Sequence, residues 1–241
     1  MSADLSPQDR EKQAVGAAAA AQVEDGMTLG LGTGSTVKFF AEALAARIAA
    51  EGLKIRAIPT SAASIDLAQT FDIPLVDWSV TTRLDLCVDG ADEVAGDLAM
   101  IKGGGGALLW EKIVASAASR RLYIADASKL VGRLGAFALP VEVVRFGHQA
   151  TAERLRTFCP DIALRGGLDD PFLTDSGHFI YDCRFGEIAD PSALQDGLIK
   201  IPGVVETGLF VGMVDALIAV RDGASAQIDG PDQVWWGGIG V

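Results

Sequence analysis

An apolar strand over residues 27–31 runs directly into Gly30-Leu31-Gly32-Thr33-Gly34-Ser35-Thr36, and an apolar-rich helix over 37–50 follows, stopped by Gly52. Strand, glycine turn and helix in that order form the first part of a βαβ unit, whose next strand lies parallel to the first. The chain repeats the pattern with strand 54–58, helix 62–70, strands 73–76 and 84–88, helix 107–119 and strand 122–125. This alternation predicts an α/β fold, a Rossmann-like, mostly parallel sheet with helices on both faces. A first helix precedes it, with Ser6 placed to cap, Pro7 at the first helical position and an Ala-rich run ending near Gly26.

Past Lys129 the texture changes. Strand 139–146, helix 151–158, a strand at 162–164, a hairpin pairing 172–174 with 178–183, helix 191–199 and strand 204–210 follow. The order βαββαβ predicts a ferredoxin-like α+β domain over 135–210. It is inserted into the Rossmann-like domain, 1–134 and 211–241, whose final strand over 213–220 returns to the first sheet. The tail 233–241, with Trp235-Trp236, carries no assignable element.

Charge narrows the partners. Twenty Lys and Arg against 32 Asp and Glu leave −12, a balance that repels phosphate backbones, and no basic stretch offsets it, so nucleic acid is not expected as a partner. The N-terminus is charged where a signal peptide is apolar, and the most apolar late stretch, 208–220, is short and interrupted by Asp215. No membrane segment is expected, and the cytoplasm is the expected compartment. Cys87, Cys159 and Cys183 lie far apart with no CxxC pair, which reads as reduced thiols and gives neither a disulfide framework nor a zinc site.

Four segments offer chemistry. The turn Thr33-Gly34-Ser35-Thr36 opens a helix, where amide N–H groups and hydroxyls can converge on an anion; its spacing fits neither GxGxxG nor a Walker loop. Asp89-Gly90-Ala91-Asp92-Glu93 sets three carboxylates at the carboxyl end of strand 84–88, where open α/β sheets keep their ligand crevices. Lys102-Gly103-Gly104-Gly105-Gly106 puts a cation and bare amides before a second helix, and Glu111, one turn in, can lean back over that loop. Lys129, ending Asp126-Ala127-Ser128-Lys129, projects toward the same crevice. Singly, each has a plainer reading: a tight capped turn, a solvated acidic turn, an exposed helix glutamate, a surface lysine. His148 and His178 fall away from every motif and read as structural or exposed.

Together, and in this order and spacing, GLGTGSTV, VDGADE, IKGGGGALLWEKIVA, IADASK, LPVEV and IPGVVETGLF resemble ribose-5-phosphate isomerase of the A type over nearly the whole chain. The resemblance implies an aldose-ketose isomerase of the non-oxidative pentose phosphate pathway. Such an enzyme interconverts D-ribose 5-phosphate and D-ribulose 5-phosphate through a cis-enediolate, with no cofactor and no metal, as a homodimer or dimer of dimers. It implies that Glu111 is the proton-transferring base and that Asp89, Asp92 and Lys102 assist ring opening and oxygen protonation. Substrate would be held by Thr33, Gly34, Ser35 and Thr36, by Asp89, Gly90, Ala91 and Asp92, by Lys102, Gly103, Gly104 and Gly105, and by Lys129. Lys12, in KQAVG, matches a lysine that approaches the phosphate in some members.

The departures are Gly106, where alanine is as frequent, Leu109-Trp110, where polar residues are frequent, and the longer aromatic tail; they bear on subunit contacts and tail placement. Two other readings compete. A non-enzymatic sugar-phosphate sensor of similar fold needs a DNA-binding segment, for which this sequence leaves no room. A magnesium-dependent phosphoryl-transfer enzyme would use Asp89, Asp92 and Glu93 as ligands.

Overall fold

The computed structural model describes residues 5–221 and 224–230; the tryptophan-bearing tail lies outside them. Helix α1 (Pro7–Ala20) starts as the sequence predicts, with Ser6 Oγ accepting the Asp9 N–H at 3.1 Å and Pro7 at its first position. Then come β1 (Thr28–Leu31), α2 (Ser35–Glu51), β2 (Arg56–Pro59), α3 (Ala62–Thr70) and β3 (Leu84–Gly90). Two short strands, β4 (Glu93–Val94) and β5 (Met100–Ile101), lead to α4 (Leu108–Ala117) and β6 (Ala118–Ala125). Next follow β7 (Leu139–Val143), α5 (His148–Leu155), β8 (Ile162–Leu164), β9 (Phe179–Cys183), α6 (Pro191–Leu198) and β10 (Val204–Thr207). β11 (Leu209–Phe210), β12 (Ala216–Arg221) and β13 (Ala224–Ile228) complete the described chain.

The main sheet has the order β13-β12-β6-β3-β1-β2, parallel except for the antiparallel edge strand β13. Side-chain alternation sends its residues to two faces. Leu86, Val88, Leu122 and Ile124 pack with Val15 of α1 and Phe40 and Leu44 of α2, each large buried side chain contributing about 1.5–3 kcal/mol. Cys87 meets Val114 of α4, while Tyr123 and Ala125 meet Phe210 and Met100. The second sheet, β10-β7-β9-β8, is antiparallel and gives the βαββαβ segment its ferredoxin-like strand order. A third small sheet, β11-β5-β4, lies between the glycine loop and the chain leaving the second sheet.

Several expected elements differ. Segment 73–76 makes only an isolated bridge, Leu75 with Ala57, because Pro74 has no N–H to extend a ladder. The hairpin over 172–183 reduces to one rung, the Thr174 N–H on the His178 carbonyl at 3.0 Å, because β7 and β8 occupy both edges of β9. The expected strand 204–210 is two strands in two sheets, and the helix expected over 151–158 starts at His148 and ends at Leu155. The first helix stops at Ala20, well short of Gly26. α4 ends at Ala117, where Ala118 turns extended, so β6 begins four residues earlier than 122.

Candidate active site

The crevice opens at the carboxyl ends of β1 and β3, where β2 pairs with one side of β1 and β3 with the other. The turn after β1 holds Gly34 at φ +109°, a backbone conformation that side chains disfavour, and this aims the first N–H groups of α2 into the crevice. Thr33 anchors the turn. Its N–H donates to Asp89 Oδ1 at 3.0 Å, and its hydroxyl joins Thr60 Oγ1, Ser61 Oγ and Ser64 Oγ at 2.7, 2.8 and 2.9 Å. The Thr33 hydroxyl is therefore committed to the protein, where an anion contact was expected. Lys12 Nζ from α1 reaches Ser35 Oγ at 3.1 Å, which places it beside the turn.

The end of β3 and the turn beyond it deliver the carboxylates, and the three acidic residues Asp89, Asp92 and Glu93 separate. Asp89, only 1% exposed, accepts the Gly90 N–H at 2.7 Å through Oδ1 and faces Lys102 Nζ at 3.1 Å through Oδ2. Asp92 Oδ2 accepts the Gly104 N–H at 2.7 Å. Glu93 is spent elsewhere, its two oxygens accepting the Phe137 and Gly135 N–H groups at 2.6 and 2.7 Å. The three-carboxylate cluster that a magnesium site would need is thus divided.

Gly103 at φ +102° turns the chain after β5 so that Lys102 and the following amides face inward. Lys102 Nζ donates to the Gly90 carbonyl and lies 3.2 Å from Glu111 Oε1. Glu111 sits in the first turn of α4 and leans toward the helix start, as helical side chains do. It is 5% exposed, and its Oε2 is buried without a hydrogen-bond partner among the described residues. Burial raises the Glu111 carboxyl, Lys102 opposes this and Asp89 adds to it, so that it is pushed up to about 8. Burial works against the charged Lys102, but Asp89, Glu111 and Asp92 outweigh it and hold the ammonium above the ordinary lysine range.

A short turn after β6, capped by Asp126 Oδ1 accepting the Ser128 N–H at 3.0 Å, presents Lys129 from the far side. The residues the sequence singled out for catalysis or substrate line one cavity of about 110 Å³, except Asp89, which lies behind Lys102, and Lys12, which meets it only through Ser35. The two histidines stay outside it: His148 Nδ1 pairs with the Tyr181 hydroxyl at 2.8 Å and His178 Nδ1 with Glu142 Oε1 at 2.9 Å.

Sequence reasoning missed three supports. The hydroxyls of Thr60, Ser61 and Ser64 cage Thr33, and only the Ser61 helix cap was open to prediction. Lys112 turns from the crevice to bind Glu206 Oε1 at 2.7 Å and the Thr207 and Leu209 carbonyls at 2.8 Å, tying α4 to β10 and β11. Arg165, beyond β8, reaches the glycine loop; an isolated arginine in a loop carries no sequence signal of that.

Comparison with known proteins finds relatives over almost the whole chain. The family model of Ribose 5-phosphate isomerase A (phosphoriboisomerase A) matches residues 56–223. The ribose-5-phosphate isomerase A of Gloeobacter violaceus is 51% identical over 214 residues, covering 88% of this chain and 93% of that one. That of Parvibaculum lavamentivorans is 48% identical over 221 residues, covering 89% and 95%. The solved ribose 5-phosphate isomerase A of Methanocaldococcus jannaschii superposes with a TM-score of 0.86 at 37% identity, over 93% of this chain and 100% of that one. A D-ribose-5-phosphate isomerase in complex with phospho-erythronic acid gives 0.87 at 34% identity, over 92% and 98%. With identity near one half sustained across almost the full length of its relatives, the chain belongs to the ribose 5-phosphate isomerase A family.

Proposed function

We propose that the protein interconverts D-ribose 5-phosphate and D-ribulose 5-phosphate through a cis-enediolate, in the non-oxidative pentose phosphate pathway. The observation that carries this reading is the buried Glu111 carboxyl, one oxygen on Lys102 and the other unpartnered among the described residues, in a cavity flanked by two helix N-termini. A carboxylate raised to about 8 is a stronger base than an ordinary glutamate.

In the open-chain aldose, Glu111 Oε2 takes the C2 proton. The C–H electrons form the C1–C2 double bond, and the carbonyl electrons move onto O1, where Lys102 and the Gly105 amide of the glycine loop stabilise the charge. A proton then passes from O2 to O1, the C2 carbonyl forms, and Glu111 returns its proton to C1. Asp89 acts through Lys102, keeping the ammonium charged and in place, and Asp92 holds the Gly104 amide. The phosphate takes the Gly34 to Thr36 turn and Lys129, with Lys12 behind Ser35.

On this reading residues 1–134 with 211–241 carry the chemistry, while 135–210 close one side of the crevice and contribute subunit contacts in a homodimer or dimer of dimers. The cytoplasm suits the three cysteines, which are free and buried, and no helix among the described residues is long and apolar enough to cross a membrane. A coupled assay for ribulose 5-phosphate formation by the purified chain tests the proposal; no turnover of ribose 5-phosphate would refute it.

A further inference from the structure

Four consecutive glycines have no side chains with which to hold their own amides, and the turn bond within the loop, the Gly106 N–H on the Gly103 carbonyl at 2.9 Å, leaves the Gly104 carbonyl to be fixed from outside. Arg165 reaches it from the second sheet. Its guanidinium makes a two-pronged pair with Asp182 on β9, Nε to Oδ2 at 3.0 Å and Nη2 to Oδ1. The remaining nitrogen, Nη1, donates to the carbonyls of Gly103 at 2.9 Å and Gly104 at 3.2 Å. Phe172 packs against the same guanidinium, 5.7 Å from Cζ to ring centroid, and covers Gly106, where an added Cβ would come within 2.5 Å of its ring.

The peptide unit is planar and trans, so its C=O and N–H point in opposite directions. The Gly103 carbonyl shares its unit with the Gly104 N–H, and the Gly104 carbonyl with the Gly105 N–H. Holding both carbonyls on the outer side turns those two N–H groups inward: the Gly104 N–H meets Asp92 Oδ2 at 2.7 Å, and Gly105 lines the cavity. A cation on the carbonyl end also polarises each unit and strengthens its N–H as a donor. Only a fork-shaped cation can satisfy Asp182 and both carbonyls at once, so lysine is no substitute.

We propose that Arg165 is a positioning residue for the isomerisation, clamping the outer face of the glycine loop so that the Gly105 amide is set for the enediolate oxygen while the Gly104 amide stays on Asp92. This rests on the isomerase reading above and adds to it a residue from the second sheet that touches no substrate.

The test uses Arg165→Met and Arg165→Lys, the second keeping a charge beside Asp182. The expected result for both is a kcat on ribose 5-phosphate lowered about 10- to 100-fold, the scale of a small misplacement of reacting groups, with KM within about threefold. Phospho-erythronic acid, whose carboxylate stands in for the enediolate oxygens, should bind more weakly by a similar factor, while inorganic phosphate binds as to the wild type. A wild-type kcat in folded Arg165→Lys would overturn the proposal even if Arg165→Met fails to fold. So would loss of inorganic phosphate binding in step with turnover, which marks general distortion. Absence of turnover in the wild type would instead count against the isomerase reading, and the comparison of the two ligands would still report on the clamp.

Discussion

Replacing Glu111 by glutamine separates its two consequences, one for rate and one for stability. Removing a positioned acid-base group costs roughly two to four orders of magnitude in turnover, about 3–5 kcal/mol in the barrier. The wild type should also show a rate that rises with pH. Because burial lifts the Glu111 carboxyl from 4.5 to about 8, the acid limb of kcat/KM should have its midpoint far above the ordinary glutamate range and near 8. The linkage sign follows from the same shift. The folded state binds this proton more tightly than the unfolded chain, so the stabilisation is complete below 4.5 and is lost as pH rises through about 8. Glutamine carries no charge to bury, so the melting temperature of Glu111→Gln should gain on the wild type between pH 5 and 8.5. Steady-state kinetics and thermal unfolding, both followed across that range, measure the two effects. Near-normal turnover in Glu111→Gln would refute its role as base, and an acid limb below pH 5 would refute the effect of burial.

Lys129→Ala should raise KM more than it lowers kcat, because a grip on the phosphate, remote from C1 and C2, acts largely alike on bound substrate and transition state; an unchanged KM with a collapsed kcat would move Lys129 into the chemistry. Exhaustive EDTA should leave the rate unchanged, since Glu93 is committed to backbone amides and the Lys102 ammonium occupies Asp89 Oδ2; activity lost and restored by magnesium would reverse this. Gly32→Ala should lower kcat at least tenfold and destabilise by about 1–3 kcal/mol, because the new Cβ would lie 2.3 Å from Asp89 Oδ1 and displace the carboxylate that holds Lys102 and Thr33; kinetics and denaturant unfolding would show it.

The parallel sheet was readable because its central strands announce themselves by apolar runs ending at glycine or aspartate, as at Leu31-Gly32, Val88-Asp89 and Ala125-Asp126. The site was readable for the same reason: in an open α/β sheet, turns that end neighbouring parallel strands meet, so Thr33, Asp89 and Lys129 converge without any knowledge of their side chains. What stayed hidden depends on contacts with no local signature. β4 and β5 are two residues each, too short for any period, and β13 follows β12 after only two residues. The strand expected at 73–76 failed on a single proline, and the hairpin at 172–183 failed because another strand already held the edge it needed.

Lys102 and Lys112 show why electrostatics is the least readable layer. Both are buried lysines, ten positions apart, and a residue's type says nothing about which way burial will move it. Lys112 finds one carboxylate, Glu206, and two neutral carbonyls; burial dominates and its ammonium is held below the ordinary range. Lys102 finds Asp89, Glu111 and Asp92, and is held above it. Those three carboxylates come from the end of β3, the turn beyond it and the first turn of α4, so their sum at one nitrogen exists only once the sheet has formed and α4 has packed on it. The same assembly that charges Lys102 keeps Glu111 basic, since burial raises its carboxyl and Asp89 adds to that more weakly than Lys102 opposes it. A permanently charged lysine beside a carboxyl that binds and releases a proton near neutrality is the pair that proton transfer next to a carbonyl requires, and folding creates it from residues that are individually unremarkable.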